Sequence, residues 1–391
     1  MMTGNPRIAA LLAAWSLTCL RAGISEPAIR VDVANPTQDK PQSKIWYAQG
    51  SWWAWLAVRG GSGVWKRTSA GWRRETALDG PLQGLPGQAD VWSGGNAVGA
   101  VLVEPKRLAF VLLKWDRQTA SYRLGAEPAR FAMPDEAGKP DLETATIARD
   151  ARGRWWIAYG WRRRVWVRVS RDRDGTQWHP PAVISPHEIH EDDICAAAAL
   201  PGGVGVIWSD QNREAVYFRL LRGPNPSSWR PVETAAQGGK TADDHFNLAV
   251  AADGALWAAT KNSVDQAGQP QLVLRKRSPR GEWSDLPYGP RTLTEEPTRP
   301  IVLLSERPPG LWLAHTVHLR DRAHPRSLIV WQQGDPHRAR LSPARPLLEG
   351  TGRLNNVTGA KAALPDDGPW LVLASDAEGN VFEADLRGVA P

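Results

Sequence analysis

The chain is expected to fold as an all-β protein, a seven-bladed β-propeller with four-stranded antiparallel blades. Three observations lead there. A turn glycine recurs at Gly50, Gly95, Gly153, Gly203, Gly254, Gly310 and Gly368, with gaps of 45, 58, 50, 51, 56 and 58 residues. Most are followed by Trp or aliphatic residues at alternate positions: Trp53 and Trp55, Trp155 and Ile157, Val206 and Trp208, Trp312, Trp370. Such alternation marks strands, and glycine supplies the positive φ of a tight hairpin. Finally, 21 of the 391 residues are Trp against 5 Phe and 5 Tyr, which suggests one packing role repeated many times.

The fifth unit is the clearest. It reads as a strand at Phe246–Ala251, a hairpin at Asp253-Gly254, a strand at Ala255–Thr260, a polar loop, and a third strand at Gln271–Arg277. A Gly281-x-Trp283 turn leads into the fourth. Third strands are predicted elsewhere at Gly63–Ser69, Arg107–Trp115, Arg164–Ser170, Ala215–Leu221, Ser327–Gln332 and Asn380–Asp385. Fourth strands open near Trp72, Tyr122, Trp178 and Trp229, and proline-rich stretches such as Pro180-Pro181 leave the blades, since proline cannot donate to a ladder. The seventh unit runs out of chain after its third strand. A spare strand at Ala28–Val33 is predicted to pair there and close the ring, removing exposed sheet edges. A pair of β-sandwiches is the alternative with many short strands. No helix of two turns or more is expected.

Residues 1–25 read as a secretory signal. Arg7 precedes an apolar run from Ile8 to Leu20, too short to span a bilayer, which needs roughly 20 residues. Cys19 follows Ser16-Leu17-Thr18, which does not fit a lipobox. Residues 26–391 then form a single propeller domain, secreted or periplasmic, with Cys195 as its one thiol and no intramolecular disulfide. A monomer with no membrane span is expected. The formal charge of +7 and pI near 9.6 accompany 41 dispersed acidic residues. A mixed, solvated surface and attraction to a polyanion such as an acidic polysaccharide both fit that balance.

At the turns a resemblance emerges. Ser170-Arg171-Asp172-Arg173-Asp174-Gly175-Thr176-Gln177-Trp178 resembles a degenerate Asp-box, the hairpin turn of the sialidase-like (BNR-repeat) propellers; Ser278–Trp283 and Thr68–Trp72 are weaker echoes. The Ser-to-Gly spacing departs from the family's, and its Arg-Ile-Pro motif is absent; Thr298-Arg299-Pro300-Ile301 does not replace it. The resemblance implies the fold and transfers no catalytic residue. It implies that the polar residues of these turns are turn formers, on the face away from the family's active site.

Ligands of a propeller are expected in the funnel, where turns entering the innermost strands meet the loops joining second to third strands. The entering turns are Asp141-Leu142-Glu143, Glu191-Asp192-Asp193, Asp243-Asp244-His245, Glu295-Glu296 and Asn355-Asn356. Asp193, Asp244, Glu296 and Asn356 are predicted to ring one mouth of the channel near its axis. His245 is the asymmetric member facing inward, and Arg299 the nearest neutralising charge. The repeated acids can lock neighbouring blades through backbone amides or bind a cation or sugar hydroxyls. Trp161 followed by Arg162, Arg163 and Arg164 suits stacking on a sugar ring and forked contacts to a carboxylate.

His315 and His318 are three apart on a strand and make a poor metal pair. His187-x-x-His190 lacks the partners of a zinc site. No metal and no cofactor are expected, and with a single basic cluster nucleic acid is not a predicted partner. The first functional expectation is recognition of a glycan or an envelope protein through the funnel face. The alternative is an enzyme on polysaccharide. As a lyase on uronic acid polymers it would use His245, His315, Tyr159 and Arg163; as a sialidase-like glycoside hydrolase it would use paired carboxylates.

Overall fold

The computed structural model describes residues 25–133, 142–320, 326–335, 338–350 and 352–389. The signal expected at residues 1–25 lies, except for Ser25, outside them, as does Asp141. The chain forms a seven-bladed β-propeller. Its innermost strands are Ile45–Ala48, Gln88–Gly94, Ala145–Arg149, Cys195–Leu200, Phe246–Val250, Glu295–Glu306 and Asn355–Thr358, and each pairs antiparallel with the strand that follows. The third strands Ala215–Leu221 and Asn380–Asp385 coincide with the expected spans, and the others differ only at their ends. In the second and sixth blades two short segments share the outer edge, Ser121–Leu124 with Ala129–Ala132, and Arg338–Leu341 with Arg345–Glu349. The last sheet takes its fourth strand from the N-terminal side. Ile29–Arg30 pairs with Asn380–Asp385, with Ile29 opposite Val381, as the closure of the ring requires. Among the described residues the α-helices are four residues long, and none is long and apolar enough to cross a membrane.

The hydrophobic core lies between blades, which explains the tryptophans. Second-strand side chains that leave one sheet must fill the wedge toward the next, and an indole is the largest plate available. Trp55 packs with Val91 and Val98 of the second blade, Trp155 with Val101 and Phe110, and Trp208 with Val165 and Val167 of the third blade. Trp312 and Trp370 join the sixth and seventh blades to the first. Glycine makes room for one of these plates: a Cβ on Gly99 would lie 2.3 Å from the Trp155 ring.

Four of the seven expected turn glycines, Gly50, Gly95, Gly153 and Gly254, have positive φ. In the fourth blade Gly202 takes that conformation and Gly203 begins the strand. Gly310 lies within the strand Pro309–Leu319 and Gly368 precedes Leu371–Ser375; neither is left-handed. Asp172 organises the turn after the third blade's third strand. It accepts from the amides of Thr176 (3.0 Å) and Gln177 (3.1 Å), while Gly175 is left-handed and the Trp178 indole donates to its carbonyl at 2.8 Å.

The blades are also locked by polar bonds at the axis. Asp90 accepts from the Ile147 amide of the next blade at 2.7 Å. Thr146, Asn247 and Thr358 accept in the same sense from Ala197, Val302 and Lys44, each at 3.0 Å. The locking role expected of the acidic entering turns is thus filled deeper in the channel, by residues of the innermost strands themselves.

Candidate functional site

The funnel is built around a segment that carries no strand. Residues 35–44 lead from the closing strand into the first blade and cross the channel on the way. Thr37 bonds Ser375 of the seventh blade at 2.7 Å, and Gln42 donates to the Ala145 carbonyl of the third at 3.0 Å. The Ser43 amide donates to Asp90 of the second blade at 2.7 Å. A segment that touches second, third and seventh blades within seven residues runs across the axis.

Lys40 is its tip. Its ammonium bonds Asp244 at the entrance of the fifth blade and lies 2.8 Å from Glu143 at the entrance of the third. The carboxylates of Glu143, Asp192 and Asp244 lie within 4.8 Å of one another. Three carboxylates that close repel unless a cation bridges them, and Lys40 is that cation. Burial opposes its charge, but Asp244, Asp39 and Glu143 outweigh burial and raise its pKa above the ordinary lysine value. Burial pushes up Glu143, and burial together with the Asp244 charge pushes up Asp192. Asp244 resists burial: bonds from His245 and the charge of Lys40 hold it well below the carboxylate range. Below this layer the axis stays filled. Lys361 bonds the fully buried Asp90, and the Lys44 ammonium donates to Gln42 and to the Ala89 carbonyl at 2.5 Å each.

The predicted mouth residues divide. Asp244, His245, Arg299 and Asn356 converge. The His245 Nδ1 is 2.5 Å from Asp244 and 2.8 Å from Asp243, and Arg299 Nε donates to the Asn356 side-chain oxygen at 2.9 Å. Arg299 therefore caps Asn356, and neutralisation of the acids passes to Lys40. Asp193 turns away, accepting from the amides of His190 (2.6 Å) and Gln211 (3.1 Å), so its neighbour Asp192 is the fourth blade's member of the acidic group. Adjacent residues in a turn face opposite ways, which is why the register differs by one. Glu296 is held at the rim by Arg291 (3.1 Å) and Arg320 (2.8 Å).

Two histidine expectations change as well. His315 is 2% exposed and packs edge-on against Tyr288 between the fifth and sixth blades, with burial pushing its pKa down to about 3. Mid-strand, it faces the neighbouring sheet. His318, one turn of the ladder nearer the mouth, reaches Arg299 instead, at 3.5 Å. Tyr159 is likewise fully buried, in the packing between the second and third blades. Neither His315 nor Tyr159 lies on the mouth face.

Among the described residues, depressions flank the filled axis. One is lined by Asp39–Gln42, His245, Arg299 and Asn356. The other, between the third and fourth blades, is lined by Trp161, Arg163, His190, Glu191 and Glu143. There the Arg162 guanidinium stacks over Trp161, 4.0 Å from its ring centroid, Trp166 lies against the same indole at 5.5 Å, and the exposed Arg163 pairs with Glu191 at 3.0 Å. Arg162 and Arg163 have left-handed φ of 52° and 56° in the hairpin between the second and third strands, which turns these side chains to the mouth side. Lys40, Lys44 and Lys361 carried no signal in the sequence, because each stands outside the strands of the repeat; Asp90 stands within one, at a position where other blades carry Thr146, Asn247 and Thr358, so no single residue type recurs there.

No family model matches the chain, and no curated protein matches it. Solved structures give distant likenesses. The α-L-arabinanase of Penicillium chrysogenum is 13% identical with a TM-score of 0.45, covering 75% of this chain and 94% of its own. A Hadza microbial sialidase is 11% identical with a TM-score of 0.44, covering 77% and 66%. Sqt1 of Saccharomyces cerevisiae is 8% identical with a TM-score of 0.46, covering 91% and 99%. Likenesses of this size do not reach the residues of the site.

Proposed function

We propose that this chain is an exported recognition propeller that binds a glycan through its funnel face, at the depression between the third and fourth blades. One observation carries the reading. The channel axis is filled by Lys40, Lys44 and Lys361, while the Trp161 depression brings an indole together with a guanidinium, an imidazole and two carboxylates at the surface. An indole offers a flat apolar face to a pyranose, a guanidinium bonds a uronate carboxylate through paired N–H groups, and carboxylates accept from sugar hydroxyls. The basic balance of the chain favours an acidic polysaccharide over a neutral one. The Ser170–Trp178 turn supports reading the chain as a remote sialidase-like propeller with a degenerate Asp-box. The apolar run before Leu20 supports export.

The experiment is a glycan array that includes uronic acid polymers, probed with the wild-type chain and with a variant combining W161A and R163A, both in that depression. Binding by the wild type that disappears in the variant supports the reading. Failure to bind any glycan, or binding unchanged in the variant, overturns it.

A further inference from the structure

Arg299 is a half-buried guanidinium without an anion of its own. Its Nε donates to the Asn356 side chain at 2.9 Å, and one terminal nitrogen lies 3.5 Å from His318 Nε2. Among the described residues no carboxylate pairs with it. The acids around it have other partners: Asp244 is bonded by Lys40, Asp243 by Lys261 at 2.9 Å, and Glu296 by Arg291 and Arg320. Burial pushes the guanidinium's pKa down, against the pull of those carboxylates. Its remaining N–H groups are free to meet a carboxylate from outside the chain, in the paired geometry that a guanidinium favours.

Two bulges put this group where a ligand can reach it. The ladder of the sixth blade slips between Thr298 and Ile301, and Arg299 within that bulge has a φ of 50°. Asn356, at the matching bulge of the seventh blade, has a φ of 46°. Left-handed backbone is uncommon for residues with side chains and gathers at ligand clamps. Here it turns a guanidinium and an amide to one depression, which Asp39 also lines. With its oxygen committed to Arg299, the Asn356 amide has its nitrogen left to donate. Asp39 accepts from the Lys40 amide through one oxygen, at 2.5 Å, and the other has no hydrogen-bond partner among the described residues. Donors for a carboxylate thus stand beside an acceptor for hydroxyls. A uronate unit carries both groups.

The Trp161 depression has the same pairing, Arg163 beside Glu191 and Glu143. The two depressions also meet. Lys40 lines one and Glu143 the other, and these two side chains lie 2.8 Å apart. The Lys40 side chain is 10% exposed and its charge is taken by Glu143 and Asp244, so it forms a floor between the depressions and not a clamp. We propose that the Arg299–Asn356 depression is a second subsite for the same polysaccharide. A chain anchored at Trp161 passes over the Lys40–Glu143 pair and sets the carboxylate of a further uronate unit on Arg299. This inference rests on the glycan reading and adds to it the length and the charge of the ligand.

Calorimetric titration of the full chain with uronic acid oligomers of increasing length tests it. In the wild type, short oligomers fill the Trp161 depression, and longer ones bind roughly tenfold tighter or more, because the second contact is made within one complex. R299N, in which Asn tolerates the left-handed backbone, binds the short oligomers as the wild type does and loses the gain with length. An affinity independent of length in the wild type overturns the second subsite, as does a gain that R299N keeps; either leaves the glycan reading standing. Binding of no oligomer by the wild type overturns that reading and this inference with it. The wild-type length series needs no variant to fold.

Discussion

The Lys40 ammonium lies 2.8 Å from Glu143, and through that pair a residue outside all seven blades closes the centre of the ring. The same ammonium bonds Asp244 two blades further on. The funnel thus has its own occupant, and ligand-binding surface is displaced to the depressions around it.

Replacing Lys40 by Met leaves Glu143, Asp192 and Asp244 facing one another. The expected loss is about 2 kcal/mol, less than the roughly 3–5 kcal/mol of a fully buried pair, because Glu143 is partly exposed. The wild-type Asp244 has a depressed pKa, so its contribution is present above the unfolded value and lost as pH falls through the folded one. In K40M the three carboxyls take up protons more easily and the repulsion fades on acidification. Thermal melts should therefore show a deficit at pH 7 that narrows toward about pH 4, where ordinary carboxylates titrate. A deficit independent of pH would contradict the bridging role.

Asp90 is fully buried and serves three donors, the amides of Ser43 and Ile147 and the Lys361 ammonium. D90A strands a buried cation and two amides. A loss of about 3–5 kcal/mol follows from removing one partner of such a pair, measurable by urea unfolding. A change under about 1 kcal/mol, the size of a surface effect, would show that the axis is not locked there.

These residues also mark the limit of what the sequence discloses. Blades were legible because their determinants repeat: glycine at a turn, Trp55, Trp155 and Trp208 in the wedges, and alternation that fixes which side chain faces a neighbour. The mouth was half legible. Asp244, His245, Arg299 and Asn356 were found by counting from repeat to repeat, and they do converge. Asp192 and Asp193 are chemically identical neighbours, and only the bonds of Asp193 to His190 and Gln211 decide which one turns inward. Lys40 stands in a polar stretch with no periodicity, and its partners come from distant turns, so nothing local announces it.

Lys44 gives a pH signature of its own. Burial pushes its pKa down to about 7 in the fold, while the unfolded chain keeps the ordinary value near 10.4. Between those values the unfolded state binds more protons, so stability rises with pH, by up to about 1.4 kcal/mol per unit. Denaturation at pH 7 to 10 should show that slope in the wild type and lose it in K44M. Equal slopes in the two would place the lysine in water.

Gly99 tests the inter-blade packing. Its backbone is not left-handed, so the one objection to a methyl group is the Trp155 ring 2.3 Å away. G99A should cost about 1–3 kcal/mol as an overpacked core does. The smaller ring of W155F should restore part of that loss in the double variant. A neutral G99A would mean the second and third blades are not in contact there.

The most direct test of the account is where a bound polysaccharide is lost. In affinity electrophoresis through gels containing a uronic acid polymer, W161A and R163A should abolish the retardation shown by the wild type, and R299N should weaken it without removing it. Retardation kept by W161A and R163A but lost in R299N would contradict the account and return the ligand to the His245 depression.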